Sequence, residues 1–209
     1  MAVVFHRNDH HRRQLHDRLR GAVRDAEGRQ EEPSAAVIDS QSVKADATVA
    51  LTSRGFDAGK KINGRKRHML TDTLGLLLAV LVTPASTTDR DAARILLPTA
   101  KGRFGRLARV WADGGYTGHL VDWSAAQFGV VLDIVRRSDD IRGFEVLPRR
   151  WVVERSFAWC LRSRRLVRDY ERRTDTSEAV VLWSMTMLMS RRLAARDQRR
   201  PVPTAGAAA

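Results

Sequence analysis

The sequence predicts a mixed α/β fold, one sheet flanked by helices. Short apolar runs recur at 35–39, 68–83, 107–113 and 130–137, and in the second half they alternate with helical patterns at 86–102 and 118–129. The 68–83 run divides at Leu74-Gly75, a turn signal, so it reads as an antiparallel hairpin. A hairpin followed by alternating strand and helix units gives a sheet with both pairing directions.

The elements follow in order. "HRRQLHDRLRGAVRDAEG" carries Leu15, Leu19, Ala22 and Val23 at helical spacing and stops near Gly28, whereas the opening "MAVVFHRNDHH" fits no element. "RQEEPS" reads as a linker. "AAVID" is a strand, and "SRGFDAGKKINGRKRH" a Gly-rich basic loop. The hairpin comes next. "STTDRDAARILLPTAKG" begins with capping residues and continues as an amphipathic helix. "LARVWAD" is a strand, "GHLVDWSAAQFG" a helix and "VVLDIVRR" another strand. "PRRWVVERSFAWCLRSRRLVRDYER" reads as a long basic helix, broken or extended near 163–172. "DTSEAVVLWSMTMLMSRRLAA" is a final helix capped by Asp175 or Thr176, and 197–209 read as a disordered tail.

Lys and Arg total 37 against 24 Asp and Glu, a formal charge of +13 spread along the chain. Such an excess opposes compaction and suits an anionic partner, nucleic acid first, unless it reflects only arginine-rich codon usage. The single cysteine, Cys160, excludes an intramolecular disulfide and a Cys-rich zinc site. No run approaches the length of a membrane span and no hydrophobic signal core opens the chain, so it reads as cytoplasmic and soluble. No GxGxxG follows a strand and no GxxxxGK[ST] loop exists, so hydride transfer and nucleotide hydrolysis lack support.

Asp39 and Asp113 each close an apolar strand at its carboxyl end, where chemistry gathers in open α/β sheets. Aspartate disfavours strands and needs a partner when buried. Each could begin a turn; together, in so basic a chain, they suit a hard divalent cation. Glu154 has Trp151, Phe157, Ala158 and Leu161 as helical face-mates, so it interrupts an apolar stripe, or pairs at its edge with Arg150 or Arg155. Glu145, ahead of Pro148, is its nearest competitor.

"IDSQSVK", "GKKINGRKRHMLTDTLG", "ADGGYTG" and "RRWVVERSFAW", in this order, resemble the catalytic domain of DDE-type transposases of bacterial insertion sequences, most closely the group numbered family five. The resemblance implies a ribonuclease H-like fold, with Asp39, Asp113 and Glu154 as the catalytic, metal-holding triad. Two Mg²⁺ or Mn²⁺ ions about 3.5–4 Å apart would serve strand cleavage and then strand transfer. It implies double-stranded DNA, element ends and target, as partner, a homo-oligomer on DNA, and a bacterial, nucleoid-associated setting. By this reading 1–32 are the remnant of an N-terminal DNA-binding region with its linker, 33–196 the catalytic domain and 197–209 the tail. The short N-terminus reads as a truncated copy or one frame of a split gene. The alternative is an inactive or regulatory fragment that only binds DNA.

Lys60, Lys61, Arg65, Lys66 and Arg67, set among glycines with His68, suit phosphate contact, or else form a solvated charged loop. Relatives carry Tyr, Arg, Glu and Lys at fixed intervals around the glutamate. Arg150 matches that arginine, Leu147 and Leu161 replace the tyrosine and lysine, and Arg162 stands beside the missing lysine. Arg150, Arg155 and Arg162 are therefore expected DNA contacts. Gly114-Gly115 permits close approach or a plain turn, and Tyr116 could pack or touch phosphate. Asp91 resembles a family aspartate but also suits the first turn of its helix. The five tryptophans read as core, with base stacking by Trp159 the lesser option, and the N-terminal histidines as surface residues.

Overall fold

The structure, a computed structural model, describes residues 2–135 and 150–198, with the side chains of 11–135 and 151–198. In chain order its elements are α1 (Ala2–Ala26), β1 (Ala35–Lys44), β2 (Gly55–Asp57), β3 (Ile62–Asp72), β4 (Leu77–Pro84), α2 (Asp89–Arg103), β5 (Arg109–Ala112), α3 (Leu120–Phe128), β6 (Val131–Ile134), α4 (Arg150–Leu161) and α5 (Thr174–Asp197).

The strands form the one mixed sheet that the sequence predicts, in the order β4-β3-β1-β5-β6, with β2 pairing the first residues of β3. β1 runs antiparallel to β3 and parallel to β5. The β3–β4 turn uses Gly75 at φ +79, and the Asp72 carboxylate accepts from the Leu74 and Leu76 amides. Strand alternation divides the core. Ile38, Leu70, Val110 and Leu132 face one way, packed with Leu97 of α2 and Leu120 of α3. Val37, Met69, Leu77 and Trp111 face the other way, against Val153 and Phe157 of α4 and Val181 and Met185 of α5. α1 lies along α5, where Val23 and Met189 meet Leu76.

Several boundaries differ from expectation. β1 continues five residues past Asp39, so that aspartate is mid-strand rather than at a strand end. The "Gly-rich basic loop" is mostly strand, because β3 begins at Ile62. α1 starts at Ala2 and takes in the opening residues. The basic helix breaks after Leu161, followed by a 3-10 turn at Arg164–Leu166. At α5 the N-cap position is Arg173, and Asp175 instead lies in the first turn, paired with Arg173. Thr88 caps α2, its hydroxyl accepting from the Asp91 amide, while the Asp91 carboxylate takes the Thr88 hydroxyl. The tail beyond 198, Glu145, Leu147 and the end of "VVLDIVRR" lie outside the described residues.

Candidate active site

Parallel pairing sets Ala35, Ala36 and Val37 of β1 against Arg109, Val110 and Trp111 of β5. That ladder ends at Val37 and Trp111; Asp39 and Asp113 each follow two residues on, Asp39 on the face that carries Val37, and the charges of both act on the Tyr116 hydroxyl. Both carboxylates are half-buried. The Asp39 Oδ1 accepts from the Ser40 amide at 2.7 Å, and the Asp113 Oδ1 from the Gly115 amide at 2.8 Å, capping the 3-10 turn Gly114–Tyr116. Asp113 is thus both a turn starter and a member of the carboxylate pair.

Glu154 rides on α4, which packs across β1 and β3. The buried side of that helix is Val152, Val153, Ser156, Phe157 and Cys160. Glu154 stands on the exposed side with Trp151, Ala158 and Leu161. The expected stripe therefore faces solvent except for Phe157. Among the described residues, no group of three or more His, Cys, Asp or Glu side chains is arranged to hold a metal ion. The charges of Asp39 and Asp113 reach one common neighbour, Tyr116, and Glu154's helix packs over β1, the strand that carries Asp39. The donor chemistry of the pair, anionic oxygens on adjacent strands, does fit a hard divalent cation.

A fourth carboxylate, absent from the sequence reading, adjoins the pair. Asp89, at the start of α2, has its Oδ1 3.4 Å from Lys66 Nζ and 3.6 Å from His68 Nδ1. A Cβ on Gly115 would lie 3.0 Å from Asp113 Oδ1 and 3.3 Å from Asp89 Oδ2, so this glycine keeps space open between the two carboxylates. Burial pushes His68 down to about 4 against the pull of Asp89, and its Nε2 pairs with the Thr83 hydroxyl at 3.0 Å. Tyr116 is fully buried and its hydroxyl has no hydrogen-bond partner among the described residues. Burial, then the charges of Asp89, Asp39 and Asp113, push its pKa well up. It packs; it does not reach phosphate. In the sequence Asp89 looks like any acid in the first turn of a helix, where negative charge complements the helix dipole, so nothing there marks it as a neighbour of Asp113.

The basic residues divide sharply. Arg65 and Arg67 are buried and committed inside the protein, which corrects their reading as DNA contacts. Arg65 reaches Asp169, Ser53 and the Glu171 and Arg172 carbonyls. Arg67 donates to the Leu166 and Arg168 carbonyls. Lys66 is nearly buried, its ammonium on the Thr87 carbonyl and near Asp89. Lys60 and Lys61 stay exposed, Lys60 reaching the Ser40 carbonyl at 3.2 Å. The Arg155 guanidinium lies over the rings of Trp151 and Trp159 at 4.3 and 4.7 Å and donates to Leu74 O. Arg162 is exposed, and the Arg150 side chain lies outside the described residues. Trp151 and Trp183 are exposed rather than core, and His16 is buried rather than on the surface. Cys160 is a buried helix residue whose thiol burial pushes up to about 11, as an inert thiol requires.

The transposase DDE domain family matches residues 30–189. The chain belongs to this family. It is also 31% identical over 142 residues, 65% of its own length and 67% of the relative's, to a Burkholderia cepacia protein named as a transposase for insertion sequence element IS402. Among solved structures, a chain of the simian T-cell lymphotropic virus intasome in complex with PP2A regulatory subunit B56 gamma superposes with TM-score 0.50 at 14% identity, covering 85% of this chain and 60% of that one. The catalytic core domain of BIV integrase gives TM-score 0.45 at 16% identity, over 81% and 86% of the two chains. The fold of this transposase-family chain is ribonuclease H-like, its mixed sheet running third, second, first, fourth and fifth principal strand.

Proposed function

We propose that this chain is a transposase catalysing metal-dependent DNA strand cleavage and strand transfer for an insertion sequence, with Asp39, Asp113 and Glu154 as its metal-holding carboxylates. The observation that supports the reading is the parallel β1–β5 register, from whose last pair, Val37 with Trp111, Asp39 and Asp113 each follow two residues on, with the helix bearing Glu154 packed over β1. Two Mg²⁺ or Mn²⁺ ions held there would supply charge stabilisation to attacking and leaving oxygens at phosphorus. The chain's own part is to fix the carboxylates on adjacent strands, so that no loop need order first. Lys60, whose ammonium reaches the Ser40 carbonyl of β1, and its exposed neighbour Lys61 hold phosphate near the pair, with Arg150 at the first residue of α4 and Arg162 just past its last as further contacts. The net charge of +13 supports double-stranded DNA as partner, with copies of the chain assembling on it. Among the described residues no helix is long and apolar enough to cross a membrane. We place its work on cytoplasmic, nucleoid DNA.

A second reading, a chain that binds DNA without cutting it, is favoured by one observation: among the described residues no group of three or more His, Cys, Asp or Glu side chains is arranged to hold a metal ion. Mn²⁺ titration by calorimetry, with Asp39→Asn, Asp113→Asn and Glu154→Gln beside the parent, separates the two. Binding lost in all three variants, with metal-dependent nicking of supercoiled plasmid by the parent alone, is the expected outcome. Equal Mn²⁺ binding throughout, or none, overturns the catalytic reading in favour of the second.

A further inference from the structure

A groove of about 990 Å³ between α4 and α5 carries a chemistry unlike that of the carboxylates. Its floor is apolar, with Trp159, Val180 and Leu188, and on its lip Trp183 and Met187 stand one helical turn apart, 52% and 43% exposed. Such a pair, continuous with an apolar floor, marks a contact surface rather than scattered surface residues. Every charged residue of the lining is an arginine: Arg12 of α1, then Arg162, Arg165, Arg191 and Arg192. Arg192 is stacked on Trp159 at 4.2 Å and Arg165 is held by Glu171 at 2.6 Å. Arg12, Arg162 and Arg191 make no hydrogen bond or ion pair among the described residues.

Three occupants suit an apolar groove in general. A second copy would set these arginines against a chain of net charge +13. A duplex would use the arginines but not the floor, because its bases are stacked away. An unpaired strand uses both, with phosphates on guanidinium groups and base faces on an aromatic ring. Position agrees: Glu154 and Ala158 share the exposed side of α4, and Arg162 of the groove directly follows the helix's last residue, Leu161, which lies about 10 Å along the axis from Glu154.

We propose that this groove holds an unpaired stretch of DNA strand, its phosphates on Arg162 and Arg191 and a base on Trp183. Only the identity of the polynucleotide as DNA rests on the proposed function. Binding is measured in EDTA, where no cleavage occurs, so failure of the catalytic reading leaves the result untouched, and the reverse. The probes are a fluorescein-labelled oligothymidylate and a hairpin duplex of equal charge, read by anisotropy. Trp183→Ala is expected to weaken oligothymidylate binding roughly tenfold and to change duplex binding less than about twofold, with Trp183→Phe restoring most of the loss. Arg191→Gln is expected to lower the salt slope by about 0.7. Unchanged oligothymidylate affinity in Trp183→Ala, with parental circular dichroism and urea midpoint, overturns the proposal. So does unchanged affinity with a shift from dimer to monomer in sedimentation, which assigns the groove to a second copy. Loss of affinity for an acidic helical peptide alone overturns it as well.

Discussion

Replacing Arg65 by Met tests whether the basic run 60–68 is surface or core. Its Nε donates to the Ser53 carbonyl at 3.2 Å and its Nη2 to the Ser53 hydroxyl at 2.7 Å and Arg172 O at 3.1 Å. Its Nη1 donates to Glu171 O at 2.7 Å and to Asp169 Oδ1 at 3.3 Å, a carboxylate as buried as itself. Removing one member of such a pair costs about 3–5 kcal/mol. Two features set where in that range the cost falls. Asp169 keeps the Glu171 amide at 2.9 Å and the Ser177 hydroxyl at 2.8 Å, which lowers it. The carbonyl of buried Glu171 loses its donor, which raises it. The expected loss is about 3–4 kcal/mol. With a urea slope of about 2–3 kcal/mol/M, the midpoint followed by tryptophan fluorescence falls by about 1–2 M. A double variant, Arg65→Met with Asp169→Leu, regains part of this loss, since no charge is then stranded. A midpoint within about 0.3 M of the parent, together with a DNA-binding salt slope reduced by about 0.9, would refute the reasoning and return Arg65 to a phosphate.

Three further outcomes are expected. His68 has its folded pKa near 4 against an ordinary 6.5, so its contribution is fully present above pH 6.5 and is lost as pH falls towards 4, about 3 kcal/mol in all; urea midpoints against pH decline less steeply over that window in His68→Gln. Tyr116→Phe removes a buried hydroxyl that has no partner, so thermal stability is unchanged or rises by about 1 kcal/mol, and a loss above that would reveal a hydrogen bond. At Gly64 a Cβ would lie 2.0 Å from the Val43 carbonyl oxygen and 2.7 Å from the Ala45 amide, both backbone, so Gly64→Ala must spread β1 from β3; a loss above about 3 kcal/mol is expected in the same urea assay.

The sheet was legible where its strands are apolar and invisible where they are not. Val37, Ile38, Leu70, Leu77 and Val110 alternate between two packed faces, and their runs announce β1, β3, β4 and β5. The first half of β3 reads "INGRKRH" because its buried partners are polar: the Leu166, Arg168 and Glu171 carbonyls, and the Asp169 and Asp89 carboxylates. Hydrophobic periodicity cannot detect a buried strand whose side chains are satisfied by hydrogen bonds. The same limit hid the second half of β1, where Ser40 and Ser42 face His68 and Lys66 across the ladder. Asp39 and Asp113 were singled out for a reason that holds for only one of them, since β1 runs on past Asp39. Helical spacing puts Glu154 in, or at the edge of, an apolar stripe of Trp151, Phe157, Ala158 and Leu161. Helical spacing alone names a face without saying which way it turns, and Val152, Val153 and Phe157 decided that.

This polar half of the sheet also bears on the carboxylates themselves. Asp39 lies where the apolar cover of β1 gives way to serines and the Lys66, His68 and Asp89 group. An aspartate inside a fully apolar sheet would be driven towards its neutral form, because burial without partners penalises the charge. An aspartate on a surface loop would keep its charge but lose its position. Half-buried, at the border between an apolar face and a polar one, Asp39 and Asp113 keep both a fixed backbone and access to water or a cation. The ion pair of Arg65 with Asp169 and the bonds of Arg67 to the Leu166 and Arg168 carbonyls fasten the chain between α4 and α5 onto that border. The arginines of β3 thus act structurally, holding the segment between α4 and α5 against the strand that neighbours Asp39.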